Sequence, residues 1–561
     1  MGIFRYFRYL TNKHPGCYTT IKKVHEVPRN TLSNQNTKGV ECVLFDLNAI
    51  IHPCFQKVFD YGSQPISYLM QEKKLKMSYE ELEKWAFNLV TKKIEEIIYY
   101  TKPSKAIYIA IDGVAGASKS NQQRQRRFKN AKNPSTNPYN FDPNSLTCGT
   151  DVMDRLCKHI FFFIKRKKQY EWSQLKIFYS DMYVPGEGEN KLKLWVEQQK
   201  YNSITIISPD GDVIMLALLI AKNEVYIFRE NIFDNIDGDY FLVDIIKLKT
   251  EIFYKIGGTS IDSLAEPEKA IKDYVLFHFF IGNDFLPHIP TLEIANQGIE
   301  TLYECYVQSA KEGGFLIEER LSKAFINKRH FIGLLENLAK LEIKMLLEKH
   351  FKKCTWQDRI LADNIIIGKD GPMVNFENYR KEYYTKKFKL QYNDDDPKLL
   401  EREIKCVCEE YIVGLIFVLR YYLKSIPTYS WTYPYHYAPL LTDLAKYSKD
   451  IDFDITFKVD PPLSIYESLF GILPFESFHL LPEEIREKMP VKIQLDENFI
   501  TDFEIDLDGK MYDYEGICLL PFLSYDKIKR YFKNIKLSEE RVDKLIRRTK
   551  VYIFQKRFRV F

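Results

Sequence analysis

The chain has 561 residues, 45% hydrophobic and 28% charged, a composition that fits a soluble globular protein with room for several domains and argues against a disordered or fibrous one. Lys and Arg outnumber Asp and Glu by 81 to 76, a net charge of only +5, so any nucleic-acid contact has to come from local patches rather than from bulk charge. The longest apolar run, Val213 to Ala221, is too short to span a bilayer. The ten cysteines are scattered and contain no C-x-x-C pair, so neither a zinc ribbon nor a disulfide framework is supported.

In chain order, an aromatic and basic start with no leader-like pattern (Met1 to Leu10) is followed by a polar stretch, Pro28 to Gly39, read as a loop. Val40 to Phe45 predicts a buried strand ending at Asp46, and Tyr79 to Tyr100 predicts an amphipathic helix. A second strand, Ala106 to Ile111, ends at Asp112. A third, Leu175 to Tyr179, leads through Asp181 to the turn VPGEGE with Glu187 and Glu189. A fourth, Ile204 to Ser208, ends in PDGD, which carries Asp210 and Asp212. Strands that alternate with helices predict an α/β fold with a mostly parallel central sheet flanked by helices, in which ligands bind beyond the carboxyl ends of the strands. The acids fall at that end. A further apolar run delivers Asp284 in FFIGNDFLPHIP.

Behind Asp112 the chain turns through Gly113 to Ser118 into a helix-prone segment. Lys119, Gln123, Arg126 and Arg127 are spaced i, i+4, i+7 and i+8, within about one quadrant of a helix at ~100° per residue. From Gly113 to Phe141 there are six Lys or Arg and no acid. Such a face is either solvated or a phosphate pocket, and its neighbour Asp112 favours the pocket. Helical pattern resumes from Lys328 to His350. Around Lys389 to Arg402 the chain turns polar, with Asp394, Asp395, Asp396 and Pro397, and reads as a surface loop or boundary. The last fifteen residues carry Arg547, Arg548, Lys550, Lys556, Arg557 and Arg559 without an acid.

Clustered carboxylates repel one another unless a cation lies between them, and hard divalent ions such as Mg²⁺ or Mn²⁺ take oxygen ligands. Two such ions can clamp the attacking and leaving oxygens of a phosphodiester, so metal-assisted phosphodiester hydrolysis is the expected chemistry, with a phosphatase as its nearest competitor. A terminal 5′-monophosphate held by Lys119, Gln123, Arg126 and Arg127 would select a chain end and separate the two.

With these motifs in place the sequence resembles the Xrn family of 5′→3′ exoribonucleases. The resemblance runs in family order through MGIFRYFRYL, FDLNAIIH (45–52), AIDGVA and KSNQQRQRRF (110–128), SDMYVPGEGENK (180–191), PDGDVIML (209–216), FFIGNDFLPHIP (279–290), YRKEYYTKKF (379–388), the aromatic segment 411–439, FGILP (470–474) and DLDGKMYDYEGICLLPF (506–522). It implies a nuclease core over 1–345, a connecting segment over 346–410, and a second, largely helical region over 411–561 that wraps the active site. It implies two divalent ions on Asp46, Asp112, Glu187, Glu189, Asp210, Asp212 and Asp284, and a 5′-phosphate pocket on Lys119, Gln123, Arg126 and Arg127. It also implies stacking of the leading bases between His52 and Trp431, with single-stranded RNA bearing a 5′-monophosphate as the partner. A cytoplasmic monomer is expected, with a nuclear or virion-associated location as the alternatives.

Several positions depart from the family pattern. Gly116-Ala117-Ser118 stands for Pro-Arg-Ala, Asn190 for a His, and Cys148 for a Pro, and a longer N-terminal loop makes the first Asp late. None removes an implied ligand, so activity is expected. The chain ends just after the second region, which suggests a compact member of the family, and its Lys, Ile, Asn and Tyr content suggests a viral or AT-rich source. A flap-type DNA nuclease and a catalytically silent RNA-binding scaffold are the alternatives.

Overall fold

A computed structural model describes residues 6–23, 39–61, 74, 76–132, 139–233, 236–256, 266–320, 323–352, 358–369, 371–393, 395–396, 398–488, 503–510, 515–547 and 550–555. The Pro28 to Gly39 loop apart from Gly39, residues 1–5, Asp394, Pro397, and the basic positions Arg548, Lys556, Arg557 and Arg559 lie outside them. The chain forms two compact units. One comprises residues 16–246, 461–501 and 523–561 and holds the sheet; the other comprises 1–15, 247–460 and 502–522 and is largely helical. The divisions expected at 345 and 410 fall inside the helices Lys328–Phe351 and Lys398–Leu423.

The sheet unit is built on strands β1 (Tyr18–Ile21), β2 (Val40–Asp46), β3 (Pro103–Ala110), β4 (Lys176–Ser180), β5 (Ser203–Ile207), β6 (Glu224–Glu230) and β7 (Tyr240–Asp244). A last strand, Tyr552–Phe554, pairs antiparallel with β4. The order is β1-β7-β6-β5-β2-β3-β4, closed at the far edge by Tyr552–Phe554. The central five strands, β6-β5-β2-β3-β4, are parallel, and the edges are antiparallel. β2 and β5 are buried on both faces, which is why they read as continuous apolar runs rather than as alternating ones. The chain lays β3 and β4 on one side of β2 and then returns to place β5 on the other. That reversal between β2 and β5 is a topological switch point, the place where open α/β sheets bind ligands.

Local chemistry sets the element ends. The helix Tyr79–Thr101 starts at a capping box, with the Glu81 backbone N–H donating to Ser78 and the Ser78 N–H donating to the Glu81 carboxylate. It stops at Lys102, whose φ of 45° is left-handed. The basic helix spans Ala117–Lys132. It is held from outside its own turns: the Leu523 N–H donates to Asn121 Oδ1 at 2.8 Å, the Tyr525 hydroxyl donates to the Ala115 carbonyl at 3.3 Å, and the helix Ile465–Ile472 packs against it.

The helical unit is organised by Pro267–His278, Gly298–Gly313, Lys328–Phe351 and Lys398–Leu423. Glu342, fully buried, accepts the N–H groups of Leu441 and Thr442 at 2.6 and 2.7 Å and so caps the helix Leu441–Tyr447. His278 is also fully buried, packed on Tyr274 and Phe277, and its Nδ1–H donates to the Tyr274 carbonyl at 2.7 Å. Burial lowers its pKa to about 3. The unfolded chain takes a proton at this ring below pH ~6.5 and the folded chain does not, so stability is full above pH ~6.5 and is lost as pH falls toward 3. At pH 5 the loss is about 2 kcal/mol for one such ring. Urea unfolding at pH 7 and pH 5 should show this drop, and His278→Phe should shrink it by that amount; an unchanged pH dependence would refute the assignment.

Among the described residues no helix is long and apolar enough to cross a membrane.

Candidate active site

Six of the seven expected acids belong to the sheet unit, at the carboxyl ends of its parallel strands. Asp46 is the last residue of β2 and is buried. Asp112 follows β3 by two residues, and Asp210 follows β5 by three. Glu187 and Asp210 are the N-cap residues of the helices Gly188–Glu197 and Gly211–Leu219, and Glu189 and Asp212 lie in the first turns of those helices. One carboxylate oxygen each from Asp46, Glu189 and Asp210 lies within 4.8 Å of the others.

Two contacts that sequence inspection missed bind the acids together. Ser208 Oγ donates to Asp46 Oδ2 at 3.1 Å and accepts the Asp210 N–H at 3.4 Å, bridging β2 and β5 across the switch point. Asp112 is tied at both ends: its N–H donates to Asn48 Oδ1 at 3.1 Å, and its Oδ1 accepts the Gly188 N–H at 2.7 Å. Gly188 has no side chain for a reason of space. A Cβ there would stand 2.9 Å from Asp46 Oδ1 and 3.2 Å from Asp112 Oδ1.

The electrostatics are those of a cation site. Burial, followed by the charges of Asp112 and Asp210, pushes the Asp46 carboxyl well above the ordinary carboxylate range. Burial and then Asp212 raise Glu189 in the same way, against the pull of Lys119. These acids resist ionising together, and a divalent cation among them removes both costs. Oxygen-only donors from Asp46, Glu189 and Asp210, with Asp112, Glu187 and Asp212 beside them on the same strand ends, suit Mg²⁺ or Mn²⁺ better than a softer metal.

Lys191 is a further group that sequence reasoning overlooked. Its buried ammonium donates to the carbonyls of Ile111 at 2.7 Å and Asp181 at 3.2 Å, pinning the chain on either side of the β3 and β4 ends. Burial lowers its pKa to about 8, with Asp112 opposing. GEGENK carries the signal as a lysine among acids, but nothing in the spacing says that it turns inward.

The basic helix places its four expected residues unequally. Lys119 forms an ion pair with Glu187 at 2.5 Å and so reaches the acids themselves. Gln123 and Arg126 are half-buried. Arg127 is buried, with Nε and Nη2 both donating to Thr147 Oγ1 at 3.1 and 2.9 Å and Nη1 donating to the Gln123 carbonyl. Burial and then Arg126 lower the Arg127 pKa to about 9. Among the described residues neither Arg126 nor Arg127 is in an ion pair, and at Arg127 the repulsion from Arg126 is larger than the pull of Asp112 or of Asp142, so the two adjacent guanidiniums favour an added anion. His52 is under the influence of the same arginines: burial, then Arg126 and Arg127, lower its pKa to about 3, which leaves a neutral aromatic ring near the two guanidiniums.

Asp284 and Trp431 belong to the helical unit. Asp284 is buried in a tight loop where Asn283 Oδ1 accepts the N–H groups of Phe285 and Leu286 at 2.8 and 3.0 Å. Trp431 is half-buried and stacked on Phe417, with ring centroids 4.3 Å apart and an interplanar angle of 28°. Gly414 gives it room: a Cβ there would meet Trp431 Cη2 at 3.2 Å and Leu286 Cδ2 at 2.5 Å.

Comparison with known proteins accounts for both units. The model of the XRN 5′-3′ exonuclease N-terminus matches residues 1–231, and that of the Xrn1 helical domain matches 265–360 and 342–559. The chain is 26% identical to the 5′-3′ exoribonuclease 1 of Homo sapiens, over 94% of this chain and 34% of the human protein. It is 24% identical to the 5′-3′ exoribonuclease 2 of Candida albicans, over 94% of this chain and 72% of that protein. It is also 24% identical to the 5′-3′ exoribonuclease 1 of Schizosaccharomyces pombe, over 94% and 48%. The chain thus spans about a third to three-quarters of the length of these curated relatives.

Proposed function

Because the chain belongs to the XRN 5′-3′ exonuclease family, we propose that it is a 5′→3′ exoribonuclease that depends on Mg²⁺ or Mn²⁺ and degrades single-stranded RNA bearing a 5′-monophosphate to nucleoside 5′-monophosphates. The main support is the convergence of Asp46, Glu189 and Asp210 at the β2/β5 switch point with the basic helix beside them, joined through Lys119 and Glu187. Asp46, Asp112, Glu187, Glu189, Asp210 and Asp212 would hold two cations, which when bound activate water and stabilise charge on the leaving 3′ oxygen. Asp284 and Trp431 enter on the family resemblance alone.

The chain's own groups then do the following. Arg126, Arg127, Gln123 and Lys119 hold the terminal phosphate, which carries more charge than an internal one and accepts more charge-assisted bonds. Thr147 holds the Arg127 fork in place before the phosphate arrives, which reduces what binding has to order. A pocket fitted to a monophosphate excludes a cap or triphosphate by size. His52, kept neutral by burial and the two arginines, offers a ring face to the leading base with no sequence preference. The product of such a scheme is RNA decay from the 5′ end.

Incubation in Mg²⁺ with single-stranded RNA bearing a 5′-monophosphate, a 5′-hydroxyl or a cap, beside matching DNA, tests the proposal. The monophosphorylated RNA should decay faster by about 10² or more, the cost of leaving a built polar pocket unfilled. Equal decay of all RNA ends would sink the phosphate pocket. Preference for DNA would favour a flap-type nuclease, and binding without cleavage a scaffold.

A further inference from the structure

The phosphate pocket and the metal cluster are adjacent sites in the proposal above, yet they share one ion pair. Lys119 Nζ lies 2.5 Å from Glu187 Oε1, with the side chains 13% and 7% exposed. Glu187 stands at the N-cap of the helix Gly188–Glu197, where a carboxylate ordinarily accepts a helix N–H, but its side chain makes no such bond and turns to Lys119 instead. The charge of Lys119 is also felt at Glu189, where it opposes the rise caused by burial. One ammonium therefore answers to two acids of the cluster, and that ammonium is also a donor to the terminal phosphate.

We infer that Glu187 gates the 5′-phosphate pocket by holding Lys119 until a divalent cation takes over its carboxylate, so that metal loading and recognition of the 5′ end are coupled. The inference rests on the exoribonuclease proposal. A phosphate that arrives without a cation must compete with Glu187 for Lys119. Neither partner can be left alone at this exposure, because an unpaired buried charge is far costlier than an exchanged one. A cation on Glu187 removes the competitor, and a phosphate on Lys119 frees Glu187 for the cation. By linkage each ligand strengthens the other by the same factor. RNA ends are then gripped by the cation-loaded enzyme, and idle capture without cations is weakened.

The test is equilibrium binding of a 3′-labelled single-stranded RNA with either a 5′-monophosphate or a 5′-hydroxyl, in EDTA, to the full chain, to Glu187→Gln and to Glu187→Gln combined with Lys119→Met. The full chain should prefer the monophosphate only weakly. Glu187→Gln, which keeps the shape and loses the charge, should prefer it about 10-fold more strongly although a metal ligand has been removed. A preference in Glu187→Gln no greater than in the full chain overturns the gate. Adding Lys119→Met to Glu187→Gln should return the preference to about the full-chain value; if the double variant keeps the gain of about 10-fold, the gain does not come from a released Lys119 and the gate fails. A second readout holds even if Glu187→Gln folds poorly. Calorimetric titration with Mn²⁺ alone should show Lys119→Met binding about 10-fold tighter than the full chain, because the competing ammonium is gone. Equal or weaker Mn²⁺ binding overturns the coupling.

Discussion

Asp210→Ala is expected to end cleavage and leave RNA bound. Asp210 supplies one of the three carboxylate oxygens that lie within 4.8 Å of one another, and it does so from the N-cap of Gly211–Leu219 without a side-chain cap bond. Its carboxylate therefore does not serve as the cap of that helix. Removing it takes away a preorganised charge at the reacting centre, a loss of about 10²–10³ in rate for a single group and more where a metal ligand goes with it. In EDTA, where no cation contributes, the proposed phosphate pocket keeps its own groups, since Arg127 is held by Thr147 and the Gln123 carbonyl. The fold should gain. Asp210 is one of the charges that push the Asp46 carboxyl upward, so in EDTA the variant should melt higher than the parent, and the rise in Tm on adding Mg²⁺ should shrink. Mononucleotide release in Mg²⁺, RNA binding in EDTA and the two melting curves together check this. Retained cleavage would remove Asp210 from the metal site.

What the sequence makes legible is the part of the site carried by local pattern. Strand β2 was expected from Val40 with Asp46 at its end and is observed as Val40–Asp46. The β3, β4 and β5 strands differ from expectation only by one to three residues at their ends. Each is a short apolar run closed by an acid or a Gly-containing turn, so the sheet and the side on which the acids collect follow from periodicity. The lateral order of strands does not. Ser208 matters because β5 lies beside β2, a neighbour 162 residues away, and no spacing rule reaches that far. The antiparallel edges β1, β7 and Tyr552–Phe554 are only three to five residues long, at the short end of or below what alternation can signal. Charge runs are legible only in part. The polar stretch around Lys389 to Arg402 reads as a surface loop or boundary, and its described residues up to Asp396 lie outside helices and strands, whereas Glu401 belongs to the helix Lys398–Leu423 and pairs with Arg380 at 2.6 Å and with Lys446 at 2.7 Å. Lys119 shows the same limit, for helical spacing assigns it to a basic face and cannot show that the face ends against Glu187.

Gly188→Ala is the second substitution with a large expected effect, and it adds only a methyl group. The new carbon would stand 2.9 Å from Asp46 Oδ1, closer than carbon and carboxylate oxygen tolerate, and 3.2 Å from Asp112 Oδ1, a tight contact that requires a small shift. Neither acid can step aside freely. Asp46 is buried and held by Ser208, and the Asp112 oxygen that would be struck is the one that accepts the Gly188 N–H at 2.7 Å. The strain must then go into the first turn of Gly188–Glu197, which carries Glu189 and follows Glu187, so four of the proposed ligands shift together. A displacement of ~1 Å at a reacting centre costs about 10² in rate, and a shift shared by four carboxylates should cost at least that. Mn²⁺ affinity should fall with it. The proposed phosphate pocket is affected only through Lys119, so binding of 5′-monophosphorylated RNA should weaken far less than turnover. Gly113→Ala makes the contrasting control: its Cβ would lie 1.9 Å from the Val184 carbonyl oxygen, a clash with backbone that no side-chain movement relieves, and it should cost stability rather than selectively costing catalysis. If Gly188→Ala turns over RNA at the parental rate with parental Mn²⁺ affinity, the close packing of Asp46 and Asp112 against this helix is not what sets the cation site.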